Sequence, residues 1–318
     1  VIILGLFFLS GFASLGLEIV FRRQLALYVG SDVAATALTL ATFLGGLSLG
    51  AAIFGRVADK TARPLRLYAV LELGVGFTGI VAVAVLTYGR DLLLSPVRAA
   101  GPGPAGFAVA AAIAAVLLLP PTILMGGTLP ALTRHLLRGG GRLLGPLATL
   151  YGANTLGAAF GAALAGFILF EAIGVSATGW LCAGLAFTVG AVAMALPTRP
   201  GAPLEAAASE TPDRHPAKGA IVAAIAALGG AAALGYEVVW TRLLVLPLRS
   251  YAYSFSLMLS LFLVGLVIGA LVLARFESRI QDALKALAVV QLASGAFVAA
   301  SVAWLPGILT APSEGGGF

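Results

Sequence analysis

Three carboxylates, Glu18, Glu72 and Glu237, sit inside long apolar runs, and they carry the strongest chemical signal in the sequence. An ionised carboxylate within a bilayer costs several kcal/mol unless it is paired or hydrated. Such residues face a bundle interior and are functional candidates by default. Arg22 follows Glu18 by four residues, the spacing that brings two side chains to one helix face, and Arg23 stands beside it. Arg242 follows Glu237 by five residues, a poorer alignment, and Tyr236 and Trp240 flank the acid. Two readings are open. The acids and arginines form ion pairs that tie helices together, or the acids line a polar cavity for a cationic or zwitterionic substrate. On the second reading the three acids converge on one cavity. Tyr236 and Trp240 then add cation–π contacts, although aromatics near a span end also serve as interface anchors.

Two further stretches have the spacing of working elements. Gly55, Asp59, Lys60 and Arg63 lie in a polar connection and resemble the loop signature of the major facilitator superfamily. There the Gly lets helices approach, and the Asp can cap a helix and bind an Arg from a neighbour. A plain basic loop is the alternative. Pro120, Pro121, Gly126, Gly127 and Pro130 crowd one apolar run. Two adjacent prolines remove two backbone donors, so a broken helix is expected, serving either as a kinked packing feature or as a substrate-site element. No Ser/His/Asp set, paired soluble carboxylates or phosphate loop accompanies these residues, so none is assigned a catalytic role. Cys182 is the lone cysteine, and His135 and His215 lie in polar connections, so neither a metal site nor a cofactor is expected.

The elements that must position these residues are membrane helices. Of the 318 residues 60% are hydrophobic and 10% are charged, and the mean hydropathy is +1.05. Soluble domains carry about 25% charged residues, so a soluble enzyme and a disordered chain are both excluded. Nine segments are long and apolar enough to span: 1–21, 33–55, 67–88, 105–130, 146–170, 175–196, 219–240, 251–274 and 286–306. The first and seventh should continue as helix beyond their apolar runs. The net charge of +6 comes mostly from Lys and Arg between spans. Arg56, Lys60, Arg63, Arg66, Arg134, Arg138, Arg142, Arg199, Arg214, Lys218, Arg275, Arg279 and Lys285 all fall on one side. The positive-inside rule makes that side, and the N-terminus, cytoplasmic, in a plasma (inner) membrane. The bilayer is the expected environment, and nucleic acid is not a partner.

The fold class expected is all-α: a polytopic bundle built on a major facilitator-like parallel repeat of six helices, its second half incomplete. Residues 9–56 align without a gap to residues 228–275, with about 20 of the 48 positions identical. The matches include Gly11/Gly230, Gly16/Gly235, Glu18/Glu237, Arg23/Arg242, Ser31/Ser250, Gly46/Gly265 and Gly50/Gly269, and the same offset pairs Glu72 with Gln291. An even number of spans separates the copies, so both have the same orientation, as in transporters with two parallel halves. The expected organisation is a first half at 1–196, a cytoplasmic linker at 197–218 and three helices of a second half at 219–318. By the repeat's arithmetic, on the order of 100 further residues would complete that half beyond Phe318. Ala153, Gly157, Gly161 and Ala165 form a small-residue face, with Asn154 and Thr155 able to hydrogen-bond across helices.

Several of these stretches together resemble the bacterial membrane-bound spermidine synthase-like family, often described as fused major facilitator/spermidine synthases. They are Ser10–Arg23, Phe43–Gly50, Pro120–Pro130 and Leu150–Gly157. The resemblance covers nearly all of residues 5–300. It implies a membrane domain joined to a soluble domain of Rossmann-type methyltransferase fold. By analogy that domain would bind decarboxylated S-adenosylmethionine and transfer an aminopropyl group to a diamine. No part of the present sequence corresponds to it. The segment Glu314–Phe318 lacks the strand and helix a nucleotide loop requires. Three functions stay open. The chain is the membrane domain of such a protein, binding or moving polyamines or related cations. It is a major facilitator-type transporter of another small solute. Or it is a non-catalytic accessory or scaffold subunit with a membrane-protein partner.

Overall fold

The computed structural model describes residues 2–137, 144–197, 216–276 and 282–310. These form α1 (Ile2–Val29), α2 (Asp32–Lys60), α3 (Pro64–Tyr88), α4 (Arg90–Ala100), α5 (Pro104–Leu137) and α6 (Leu144–Leu164). A π-helical turn, Ala165–Leu169, leads into α7 (Phe170–Ala172). Then come α8 (Val175–Ala195), α9 (Pro216–Leu248), α10 (Tyr251–Phe276) and α11 (Ala283–Thr310). Nine of these spans among the described residues are long and apolar enough to cross a membrane. No strand occurs among the described residues, so the fold is an all-α polytopic bundle. All nine apolar runs are helical, and α1 and α9 extend past theirs to Val29 and Leu248.

Two features had no counterpart in the sequence reading. The short amphipathic α4 joins α3 to α5, buries Leu93 and Leu94, and ends at Gly101 in a left-handed conformation. The π turn interrupts the fifth apolar stretch, between α6 and α7, adding a residue to one turn.

The described chain divides into two compact units, Val1–Ala207 with Leu259–Ala274, and Ala208–Met258 with Arg275–Phe318. Most of the expected linker, 198–215, lies outside the described residues, and α9 already begins at Pro216.

In the first unit α1 packs on α6 and α8, α2 on α5, and α3 on α5 and α8. Between membrane helices, close packing and interhelical hydrogen bonds supply the cohesion that the hydrophobic effect supplies in water. The α1–α6 seam shows how. Gly157 lies against the Phe8 backbone, and Gly161 against that of Phe12. Asn154 Nδ2 donates to the Phe7 carbonyl at 3.0 Å. On α1, Leu17, Phe21 and Leu25 belong to one buried cluster with Val75, Val83, Leu118 and Cys182.

The turn after the first helix of each repeat copy has the same construction. In the first copy Gly30 N donates to the Ala26 carbonyl at 3.0 Å, and Ala35 N to the Ser31 carbonyl at 2.9 Å. Ser31 Oγ accepts from Ala34 N at 3.3 Å, capping α2. In the second copy Arg249 N donates to the Val245 carbonyl at 2.9 Å, and Ser254 N to the Ser250 carbonyl at 3.1 Å. Ser250 Oγ accepts from Tyr253 N at 3.4 Å. Each bond joins positions that the sequence alignment equates. The residue before the capping serine is left-handed in both, Gly30 at φ 73° and Arg249 at φ 50°.

Candidate functional site

All three membrane acids are buried, Glu18 at 5%, Glu72 at 1% and Glu237 at 7% exposure. Their surroundings differ. Glu72 of α3 accepts a hydrogen bond from Ser10 Oγ of α1 at 2.5 Å. The Tyr68 hydroxyl, one turn back on α3, interacts with the same carboxyl, and the Tyr68 ring meets Phe7 edge-on at 6.1 Å. The group is buried, a polar clasp between α1 and α3.

Glu18 lies eight residues beyond Ser10 on α1, about 12 Å along the axis. Glu18 and Glu72 therefore sit at different levels of the first unit. Glu237 belongs to the second unit. Its Oε1 is buried and has no hydrogen-bond partner among the described residues. Tyr236 and Trp240 beside it are half-buried, while Arg242 is exposed. In the same unit a side chain at Gly229 would meet Gln291 Nε2 at 3.0 Å. Gly229 and Gln291 are the repeat equivalents of Ser10 and Glu72. The contact between the first and third helices is thus kept in the second copy without its acid, and Gln291 itself is mostly exposed.

Arg22 is fully buried near the far end of α1 and lies 3.8 Å from Asp32, the first residue of α2. The exposed Arg23 reaches the same carboxylate at 3.9 Å. Asp32 was not singled out from the sequence, although an acid directly after a turn that follows two arginines is a signal for it. A polar chain runs beside it. Gln24 donates to Thr87 at 3.0 Å, and Thr87 donates to Ser176 at 3.1 Å, linking α1, α3 and α8.

The expected break at Pro120, Pro121, Gly126, Gly127 and Pro130 does not occur. Helix α5 runs unbroken from Pro104 to Leu137. Membrane helices tolerate proline where a neighbouring helix supports the backbone. Thr122 Oγ1 donates to the Leu118 carbonyl at 2.7 Å, and Thr128 Oγ1 to that of Met125 at 2.7 Å. Gly126 lies against the Leu47 backbone and Gly127 against the Phe54 ring, so α2 splints the proline-rich length.

The loop-signature residues take up different roles from those expected. Asp59 lies inside α2, and Arg63 occupies the position before α3 without a side-chain cap, with Pro64 starting the helix. Arg134 of α5 does bond to Asp59, but Nη2 donates to its backbone carbonyl at 3.0 Å and the Asp59 carboxylate stays exposed. Lys60 and Arg63 are exposed. Gly55, Asp59, Gly126, Pro130, Thr133 and Arg134 border a cleft of about 340 Å³ between α2 and α5. Among the described residues no group of three or more His, Cys, Asp and Glu is placed to hold a metal.

Fold and site together define a multi-pass membrane protein with buried carboxylates at matched repeat positions. No family model, curated protein or solved structure matches this chain.

Proposed function

We propose that this chain is the membrane domain of a two-repeat protein that binds or moves small organic cations, polyamines being the class its sequence resemblance suggests. One observation carries the reading. Glu18 and Glu237 occupy the same position in the two repeat copies, and both are buried. A positive charge near a carboxylate kept out of water offsets its desolvation. The buried Oε1 of Glu237 leaves an acceptor for such a charge. Glu72 plays no part in cation binding on this account, because Ser10 and Tyr68 already engage it.

The test is spermidine and putrescine binding to the purified protein in lipid nanodiscs, with uptake into proteoliposomes measured in parallel. Saturable binding, weakened about tenfold or more in Glu237→Gln, supports the reading. A protein that binds neither amine, with uptake flat across cations, refutes it. A second reading, a non-catalytic scaffold in a larger membrane assembly, is favoured by the buried Ser10–Tyr68–Glu72 clasp. It predicts a stable membrane-protein partner that co-purifies in mild detergent.

A further inference from the structure

Within the aligned segments the glycines sort by what surrounds them. In the first copy Gly11 lies against Asn154 of α6, Gly16 against Cys182 of α8, Gly46 against Thr122 of α5, and Gly50 against Ile123 and Gly126 of α5. At each of these a Cβ would collide with the neighbouring helix. Three other glycines of that segment, Gly30, Gly45 and Gly55, have nothing near them. The second copy keeps glycine at every packed position, as Gly230, Gly235, Gly265 and Gly269. At the three open positions it carries Arg249, Val264 and Ala274 instead. Glycine has therefore been retained where a helix presses on it and replaced where none does.

Around Gly230, Gly235, Gly265 and Gly269, however, no described atom lies within 4 Å of where a Cβ would stand. Glycine inside a helix costs roughly 0.5–1 kcal/mol relative to alanine, so four retained glycines facing nothing would be a standing loss. A large apolar side chain tells the same story. Phe43 is 3% exposed, and its repeat equivalent Phe262 is 41% exposed.

We propose that these faces of α9 and α10 are docking surfaces for further apolar membrane-crossing helices, rather than lipid-facing surfaces. The chemistry of the occupants follows from the first copy. The face of α10 takes a helix like α5, with a small residue and a hydroxyl at the contact, as Gly126 and Thr122 provide. The face of α9 takes helices like α6 and α8, with small residues beside an amide or a thiol, as Asn154 and Cys182 provide. This holds whether or not the protein handles cations.

Leucine substitutions in the protein purified from its own membrane test the proposal. Gly46→Leu is the packed reference and should lower the thermal midpoint by several degrees. Gly45→Leu is the open reference and should leave it unchanged. Gly265→Leu and Gly269→Leu should behave like Gly46→Leu. If they behave like Gly45→Leu, the faces meet lipid and the proposal is wrong. A photo-crosslinking benzoylphenylalanine in place of Phe262, irradiated in native membranes, gives a second readout that does not depend on stability. Adducts to helical peptide are expected, and adducts to lipid alone would overturn the proposal.

Discussion

At the scale of single residues, burial of charge in the bilayer decides most of what this chain can do. Glu18, Glu72 and Glu237 stood out in the sequence because a carboxylate in an apolar run must face the bundle interior, and all three are buried. What each acid touches was not legible. A lone hydroxyl such as Ser10 reads as neutral in an apolar run, yet it bonds directly to Glu72. Replacing Ser10 with Ala should cost about 1 kcal/mol, measured as a lower thermal midpoint in nanodiscs, with amine binding unaltered. The Arg22–Asp32 pair makes a different prediction. Asp32 is partly exposed, which weakens the interaction, and its loss removes one acid from beside a buried guanidinium. Asp32→Ala should therefore destabilise by about 1 kcal/mol, and Arg23→Ala, on an exposed side chain, should be close to neutral by the same measurement.

At the scale of elements, the repeat shows its clearest signature in a turn. Gly30–Ser31 and Arg249–Ser250 share their hydrogen bonds and their left-handed residue, although only the serine is identical. An arginine at φ 50° carries a steric cost that glycine avoids. Arg249→Gly should stabilise by up to about 1 kcal/mol, and Gly30→Val should destabilise by a similar amount or more. Thermal unfolding in detergent distinguishes the two signs. Helix α5 shows where local reading fails. Pro120, Pro121 and Pro130 each argue for a break, but propensity counts only the helix itself. The support comes from α2 backbone pressed against Gly126. The same limit explains the missed α4, whose 11 residues include Pro96 and three charges and present no apolar run.

At the scale of the whole molecule, the nine spans and the all-α class were legible because a bilayer allows an apolar stretch of this length almost no alternative to a helix. The pairing of helices was not, since nearly every position is apolar and only the glycines mark the seams. Glu18 and Glu237, equivalent by sequence and both buried, tie that architecture to its proposed work. The most direct test is equilibrium binding of radiolabelled spermidine to the nanodisc-embedded protein, comparing wild type with Glu18→Gln, Glu237→Gln and Glu72→Gln. The account predicts saturable binding in wild type and Glu72→Gln, weakened about tenfold or more in the other two while their thermal midpoints hold. Binding that is absent from the wild type, or unchanged when both Glu18 and Glu237 are neutralised, would contradict it.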